Sequence, residues 1–445
     1  MFAASGKRLQ FARALKSRPY AMIWIGQTIS NLGDGIFYIA LAWQVLLMTH
    51  SGTAMGVVLI AGTIPRLVFV LIGGVAADRL PRRLIILWSD GGRGVVVLLI
   101  SILGFTGHLQ FWHLIIEALI FGVVDGFFNP AIMAITPDLV EKDDLASANA
   151  LVSLSGNLAQ LVGPLVGAGL IALISPIGAF AFNALSFFIS VAFLLPVRIP
   201  ERHVARPLEI QEPAEEEMQA VGDDFSAPVS GEMPAERRGF RGVVEDVREG
   251  LVYVRNTRWL WVTTLSASVG NIGFTATLAV ATPKLVHDIY GQGAWLYGLM
   301  STTGAIGSII ALLLIGQATR LKKRGLLAYL SLVLSCSGIL IFGLPFPRGI
   351  EPLVASLASM LVGFGLAFFN TIFFTILHET IPGDKLGRVI SLDTLGSFAM
   401  IPVGEALGGI LTDRIGPAPV FIIFGSINLA NVLIPLLVRD VRELE

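Results

Sequence analysis

Several ionisable side chains stand where the sequence offers them no water. Asp34, Arg66, Asp90, Arg93, Glu117, Asp125, Asp393 and Glu405 each lie inside a long apolar run. An ionisable group in the middle of a bilayer costs roughly 2.5–3.5 kcal/mol on insertion scales, so each is a candidate for function. The chemistry open to them is proton binding by a carboxylate, charge compensation by a guanidinium, or attraction of a cationic solute. Counted along a helix at 1.5 Å per residue, Asp34 lies roughly 22 Å deep, and Arg66 and Asp125 roughly 18 Å. These three share a level near the midplane. At that level Arg66 is able to pair with Asp34 or Asp125. That set would be a static ion pair or a switched site for a proton or a cationic substrate. Asp90 and Arg93, three apart on one helix face, are expected to form a shallow structural pair. Asp393 is also expected to be shallow. Glu117 and Glu405 fall roughly 30 Å in, at the far surface, where hydration is expected.

The elements that carry these residues follow from composition. The chain has 445 residues, 54% hydrophobic and only 14% charged, against about 25% charged in soluble proteins. Mean hydropathy is +0.76. Its solvent is therefore expected to be lipid. A spanning helix needs about 20 mostly apolar residues. Such stretches fall near 19–48, 53–78, 84–106, 111–137, 144–173 and 177–197, and again near 258–284, 293–317, 325–345, 352–380, 385–412 and 417–438. The expected class is an all-α integral membrane protein of twelve spans. The first run is too long for the apolar region of a cleavable signal, so it reads as a span. Net charge is −1, which gives nucleic acid nothing to bind. The single cysteine, Cys336, excludes a disulfide framework and any multi-cysteine metal site. No cofactor or metal is expected.

Lys and Arg set the orientation. With the N-terminus cytoplasmic, 26 of the 31 fall on inner segments and three on outer loops: Lys284, Arg348 and Arg414. Arg66 and Arg93 complete the count. Both termini are therefore expected in the cytoplasm. The polar stretch 201–240, with Glu215, Glu216 and Glu217, has the composition of a disordered linker. From 241 to 257, Val243, Val247, Leu251 and Val254 recur at helical spacing among charges, which predicts an amphipathic helix on the membrane surface; a solvated connector is the other reading. The expected units are 1–200, the linker with its helix over 201–257, and 258–445.

A shift of 241 residues, which lays Gly122 on Gly363, aligns the two halves. Phe127, Phe128 and Asn129 meet Phe368, Phe369 and Asn370. Asp138 meets Glu379. Gly163 and Gly167 meet Gly404 and Gly408, and Glu405 stands where the first half has Pro164. An even number of spans per half makes the repeat parallel, about an axis along the membrane normal. Asn129, Phe368, Phe369 and Asn370 are candidates for the wall of a central cavity; the phenylalanines could equally pack between helices or face lipid.

Between spans 2 and 3 the chain reads Gly74, three residues, Asp78-Arg79, two residues, Arg82-Arg83. Gly74 permits close helix approach, Asp78 can cap or pair, and the basic residues hold the turn at the surface. This run resembles the signature of the major facilitator superfamily, with Pro81 where that family usually has Gly. Gly163-Pro164 with Gly167 in span 5 is similar to the superfamily's antiporter motif, with Ala159 in place of an upstream Gly. Leu145-Ala146-Ser147-Ala148-Asn149 and Phe128-Asn129-Pro130 resemble the bacterial drug, siderophore and macrolide exporter branch. The resemblance implies two pseudo-symmetric six-helix bundles with spans 1, 4, 7 and 10 around a central cavity, so that Asp34 and Asp125 would face the solute path. It implies that Asp78 sits against the N-terminus of span 11 and that Arg82 pairs with Asp138, a latch on the outward-open form. In the second half Thr319 replaces the Asp, so the latch is one-sided. The span-4 arginine of some drug:proton antiporters is replaced by Ala118, so their coupling scheme does not carry over.

The resemblance implies a monomeric multi-pass transporter in a bacterial-type plasma membrane, not an enzyme, exporting amphiphilic small molecules against protons. A lipid or lysophospholipid translocator on the same fold, a non-transporting sensor or scaffold, and a passive importer are the alternatives. No phosphate-binding loop is present to supply ATP drive.

Overall fold

A computed structural model describes residues 12–197, 240–318 and 321–444. Lys7, Arg8, the linker 201–239, and Thr319 with Arg320 of the second-half motif lie outside the described residues. Twelve helices among the described residues are long and apolar enough to cross a membrane. Spans 1 to 6 are Arg18–Thr49, Gly52–Arg79, Arg82–Phe105, Phe111–Leu139, Leu145–Leu173 and Pro176–Leu194. Spans 7 to 12 are Arg258–Ile289, Ala294–Gln317, Arg324–Phe342, Glu351–Thr380, Lys385–Ile415 and Pro417–Leu437. No strand occurs among the described residues.

Local chemistry marks the helix starts. Ser17, Ser51 and Ser175 each cap the span that follows, accepting from the backbone N–H three residues on. Span 7 is irregular. It winds in π turns over Thr275–Ala281 and Leu285–Ile289. Pro283 lies between them and has no N–H to give, and Thr282 Oγ1 donates to Thr277 O at 3.0 Å. Span 11 is interrupted between Phe398 and Ile401, just before Pro402.

The spans form two bundles of six. Near the end that carries the termini, each bundle has its own apolar core, one around Tyr20, Ile86 and Leu194, the other around Leu260, Tyr329 and Leu377. Near the opposite, distal end, one core runs through both bundles, from Ile39 and Phe180 to Val280 and Phe421. The molecule is therefore sealed distally and split at the terminal end. Gly163 and Gly35 meet across spans 5 and 1, where a Cβ on Gly163 would lie 2.8 Å from the Gly35 Cα. The repeat reproduces this in the second half, where a Cβ on Gly408 would lie 2.5 Å from the Ala276 Cα of span 7. Replacing Gly163 with Val is expected to wedge spans 1 and 5 apart and cost about 1–3 kcal/mol, read as a lower melting temperature in detergent. Gly74 does not have the packing role read from the motif: nothing lies within 4 Å of the place its Cβ would take. Its neighbour Gly73 makes the approach instead, against the Gly126 carbonyl of span 4.

The helix Phe240–Asn256 precedes span 7 directly. It docks on the terminal end of span 11: Glu249 Oε2 accepts from Arg388 Nη1 at 2.7 Å, and Lys385 Nζ lies 5.5 Å from the Tyr253 ring centre. Leu251 and Val252 are exposed.

Candidate functional site

A cavity of about 950 Å³ lies between the bundles. It is lined from spans 1, 4, 5, 7, 8 and 10 and by Phe342 at the end of span 9, and extends from Tyr20 and Leu139 to Tyr38, Thr282 and Tyr297. Span 1 contributes Trp24, Gln27, Asn31, Gly35 and Tyr38, spaced three or four apart. That polar and aromatic stripe is a helical signal within an apolar run, legible in the sequence but missed there. Asn129 lines the cavity, and its Nδ2 donates to the Asp125 carbonyl at 3.0 Å. Gln160, Ser301 and Ser308 add further hydrogen-bonding groups. The expected span-10 wall is not formed. Phe369 is buried between helices, edge-on to Tyr329 and stacked on Phe373. Phe368 stacks on Phe364. Asn370 is exposed outside the cavity lining. Gly363 and Leu366, one turn and more toward the distal end, line it instead.

Beside the cavity sits a charge cluster centred on Arg93. Its Nη2 lies 2.6 Å from Asp90 Oδ1, and its Nη1 lies 3.3 Å from Asp125 Oδ1 and 3.7 Å from Asp34 Oδ2. The guanidinium lies between the rings of Phe128 and Phe187, with centroids at 4.4 and 4.7 Å. Phe128 also lines the cavity, so the cation stands behind it. Asp90 is fully held: besides Arg93 it accepts from Gln27 Nε2 at 2.8 Å and Ser190 Oγ at 2.7 Å. Asp34 and Asp125 are held more loosely. Their side chains are 38% and 28% exposed, against 0% for Asp90.

The geometry reassigns the cation expected from sequence. Asp34 and Asp125 do share one guanidinium, but it belongs to Arg93, which the sequence pairs with Asp90 alone. Arg66 is exposed and makes no ion pair among the described residues; its charge is near enough to act on Asp125 and Glu405. Depth fixes the height of both arginines. Helix rotation decides which one points inward. Glu117 and Glu405 are buried, at 1% and 3% exposure, and not hydrated as their depth suggests. Asp393 is also buried, accepting from Thr264 Oγ1 at 2.5 Å.

At the terminal end, Arg82 Nη1 lies 2.6 Å from Asp138 Oδ2 and also donates to the Ala134 carbonyl at 2.8 Å. Arg83 donates to the Leu194 and Leu195 carbonyls, pinning the end of span 6. Asp78 and Arg79 are exposed, and Asp78 makes no hydrogen bond or ion pair among the described residues. The expected contact of Asp78 with span 11 is absent from this conformation.

The closing contacts lie at the distal end instead. Asp413, in the last turn of span 11, caps the first turn of span 2. It accepts from Ser51 Oγ at 2.6 Å, Gly52 N at 2.7 Å and Thr53 N at 2.9 Å. Lys284 bridges to it at 3.1 Å and donates to the His50 carbonyl at 2.7 Å. Deeper in the same seam, Thr63 Oγ1 of span 2 donates to Glu405 Oε1 at 2.7 Å. At the second crossing, Thr302 of span 8 donates to the Leu161 carbonyl at 3.0 Å, and a Cβ on Gly298 would lie 2.6 Å from the Pro164 carbonyl of span 5.

Two six-helix bundles around a central cavity, sealed at one end, is the architecture of a rocking transporter. Residues 23–404 match the sequence family described as Major Facilitator Superfamily. The chain belongs to that superfamily. It is similar to macrolide efflux protein A of Streptococcus pyogenes, at 23% identity over 95% of this chain and 96% of that one. It is similar also to the enterobactin exporter EntS of Escherichia coli, at 27% identity over 90% of this chain and 86% of that one. Among solved structures, a point mutant of the nucleoside transporter NupG superposes with a TM-score of 0.70 at 11% identity, covering 94% of this chain and 99% of that one. At that identity the likeness shows the fold alone.

The chain is thus a membrane transporter of major facilitator type, with exporters among its relatives, and not an enzyme. The superfamily's signature between spans 2 and 3 is present with its Asp78 unengaged, while a different set of residues, around Asp413, holds the bundles together. The Gly163-Pro164 motif has a physical role at both crossings. Its glycines seat span 5 on span 1, and its proline carbonyl meets span 8.

Proposed function

We propose that the protein exports amphiphilic small molecules in exchange for protons, by alternating access between the two bundles. The observation that carries this is the charge balance around Arg93. Three aspartates surround one guanidinium. Asp90 and Arg93 are buried and bonded to each other at 2.6 Å, and together form a neutral unit. Asp34 and Asp125 are then surplus negative charge in a low-dielectric setting, which a proton compensates at the least cost. Neither carboxylate lines the cavity, against the expectation that both face a solute path; their partly exposed side chains are where water would deliver and remove that proton. Protonation weakens the hold on Arg93, which touches Phe128 in the cavity wall, so proton and solute occupancy are read by the same side chain. This replaces the Arg66-centred scheme read from sequence.

The cavity supports an amphiphilic substrate. Phe128, Trp24 and Tyr38 offer aromatic faces, and Asn31, Asn129 and Gln160 offer amide hydrogen bonds. The exporter names among the relatives support the direction. The excess of Lys and Arg on the terminal side supports cytoplasmic termini in a bacterial-type plasma membrane. On that reading the distal end is the outer face and the cavity is open inward. Units of 1–200 and 258–445, joined by the linker of 201–257, and a monomeric state complete the proposal.

The test is transport by purified protein in liposomes under an imposed pH gradient. Asp34→Asn and Asp125→Asn are each expected to slow gradient-driven transport at least tenfold while sparing exchange without a gradient. Full gradient-driven rates in both variants would remove the cluster from the coupling scheme.

A further inference from the structure

The seam between spans 2 and 11 holds a second buried acid. Glu405 is 3% exposed. Its Oε1 accepts from Thr63 of the opposite bundle, and its Oε2 is buried with no hydrogen-bond partner. No cation pairs with it among the described residues. Arg66, three residues beyond Thr63 on span 2, is the cation whose charge acts on it; from span 1 Tyr38 is near enough to feel its charge. Asp413, eight residues further along span 11, is occupied with the first turn of span 2.

The backbones leave little room for water beside it. A Cβ on Gly56 would collide with the Glu405 carbonyl, and one on Gly409 would lie 2.7 Å from the Gly52 carbonyl. The pseudo-symmetric crossing of spans 5 and 8 has the same backbone contact, with Gly298 against the Pro164 carbonyl. There the repeat places Pro164 at the position of Glu405. One crossing is thus sealed by an apolar side chain, and its twin by a carboxyl group.

We propose that Glu405 is a proton-binding site that must be protonated for spans 2 and 11 to close at the distal end. A bare carboxylate enclosed with one hydroxyl donor is costly to bury, whereas a carboxylic acid is not. When the seam parts, Thr63 leaves and Glu405 meets water on that side, where it ionises. Each closure therefore takes up one proton, forming one O–H bond on the carboxylate, from the solution at the distal end. This rests on the proton-coupled, inward-open reading above, and it adds a site that is separate from the Arg93 cluster and gates conformation rather than solute.

The experiment reads conformation, not transport. Val57 and Ile410 flank the seam on exposed faces of spans 2 and 11. Spin labels on Val57→Cys and Ile410→Cys, with Cys336→Ala, report its width by pulsed dipolar spectroscopy from about pH 5 to about pH 9. The closed fraction is expected to fall as pH rises, the one-proton limit being about tenfold in the equilibrium per pH unit. Glu405→Gln, which stays neutral, is expected to remain closed throughout. The rim residues His50 and His287 are untouched by that variant, so a pH response that persists in Glu405→Gln overturns the proposal. So does a pH-independent seam in the parent protein. Asp34→Asn with Asp125→Asn is expected to keep the seam's pH response; failure of coupling in that double variant bears on the Arg93 cluster alone.

Discussion

Arg93→Met is expected to abolish gradient-driven transport and to cost about 3–5 kcal/mol of stability, the usual penalty for removing one partner of a buried ion pair. Arg93 is 3% exposed and serves three carboxylates, and Asp90 is wholly buried. Without the guanidinium, Asp90 keeps only Gln27 and Ser190 as donors. Arg93→Lys is not a conservative change here. An ammonium keeps the charge but cannot reach Asp90 with one nitrogen and Asp125 with another while packing against Phe128 and Phe187. It is expected to retain most of the stability and lose at least tenfold in rate. Arg93→Met with Asp90→Asn removes the neutral pair together. That variant should regain much of the melting temperature lost in Arg93→Met, yet still fail to transport, because Asp34 and Asp125 would have no cation to release. Recovery of transport in the double variant would show that Arg93 is structural only. Melting curves in detergent and proteoliposome flux, run on the same three variants, separate the outcomes.

Asp413→Ala is expected to shift the conformational equilibrium away from the distally closed form by about tenfold or more. The loss of a helix cap costs about 0.5–2 kcal/mol, and a carboxylate at a helix N-terminus is worth about 0.3–1 kcal/mol beyond it. Lys284, 3.1 Å away, loses its partner as well. These contacts join residues some 360 positions apart, one from each bundle, so they exist only when the distal end is shut. Asp413→Asn keeps an acceptor for one backbone N–H and should fall between. Asp78→Ala should leave this form unaffected, since Asp78 makes no hydrogen bond or ion pair in it among the described residues. The Val57–Ile410 label pair measures all three. An unchanged distance distribution in Asp413→Ala would show that the Gly52–Gly409 packing holds the seam by itself.

Much of the architecture was legible in the chain. Twelve spans and two sets of six follow from hydropathy and repeat, and the motif marks the span-5 glycines, though not span 1 as their partner. The Arg82–Asp138 pair was implied by the resemblance alone, and the structure forms it between the first turn of span 3 and the last turn of span 4. The candidate site was legible in part. Asp34 and Asp125 stand out as charges in apolar runs, and the Trp24–Gln27–Asn31–Tyr38 stripe was there to be read at helical spacing. The wrong arginine, the expected hydration of Glu405 and the phenylalanine wall share one cause. Counting residues from a span end gives a side chain's height in the membrane but not its direction around the helix.

The sequence by itself therefore determined what depends on the solvent. Lipid demands about 20 apolar residues per span, and the charges that remain between spans sort by side. Only the tertiary structure decided which charges meet. A helix turns about 100° per residue, so a small rotation exchanges Arg66 for Arg93, or carries Phe369 from a cavity wall into the core against Tyr329. The Asp413 cap on span 2 and the Thr63–Glu405 bond lie further still from local rules, since each needs two bundles leaning together at one end. Those contacts belong to a single conformation of a protein that must adopt at least two, and no pattern along the chain states which one is formed.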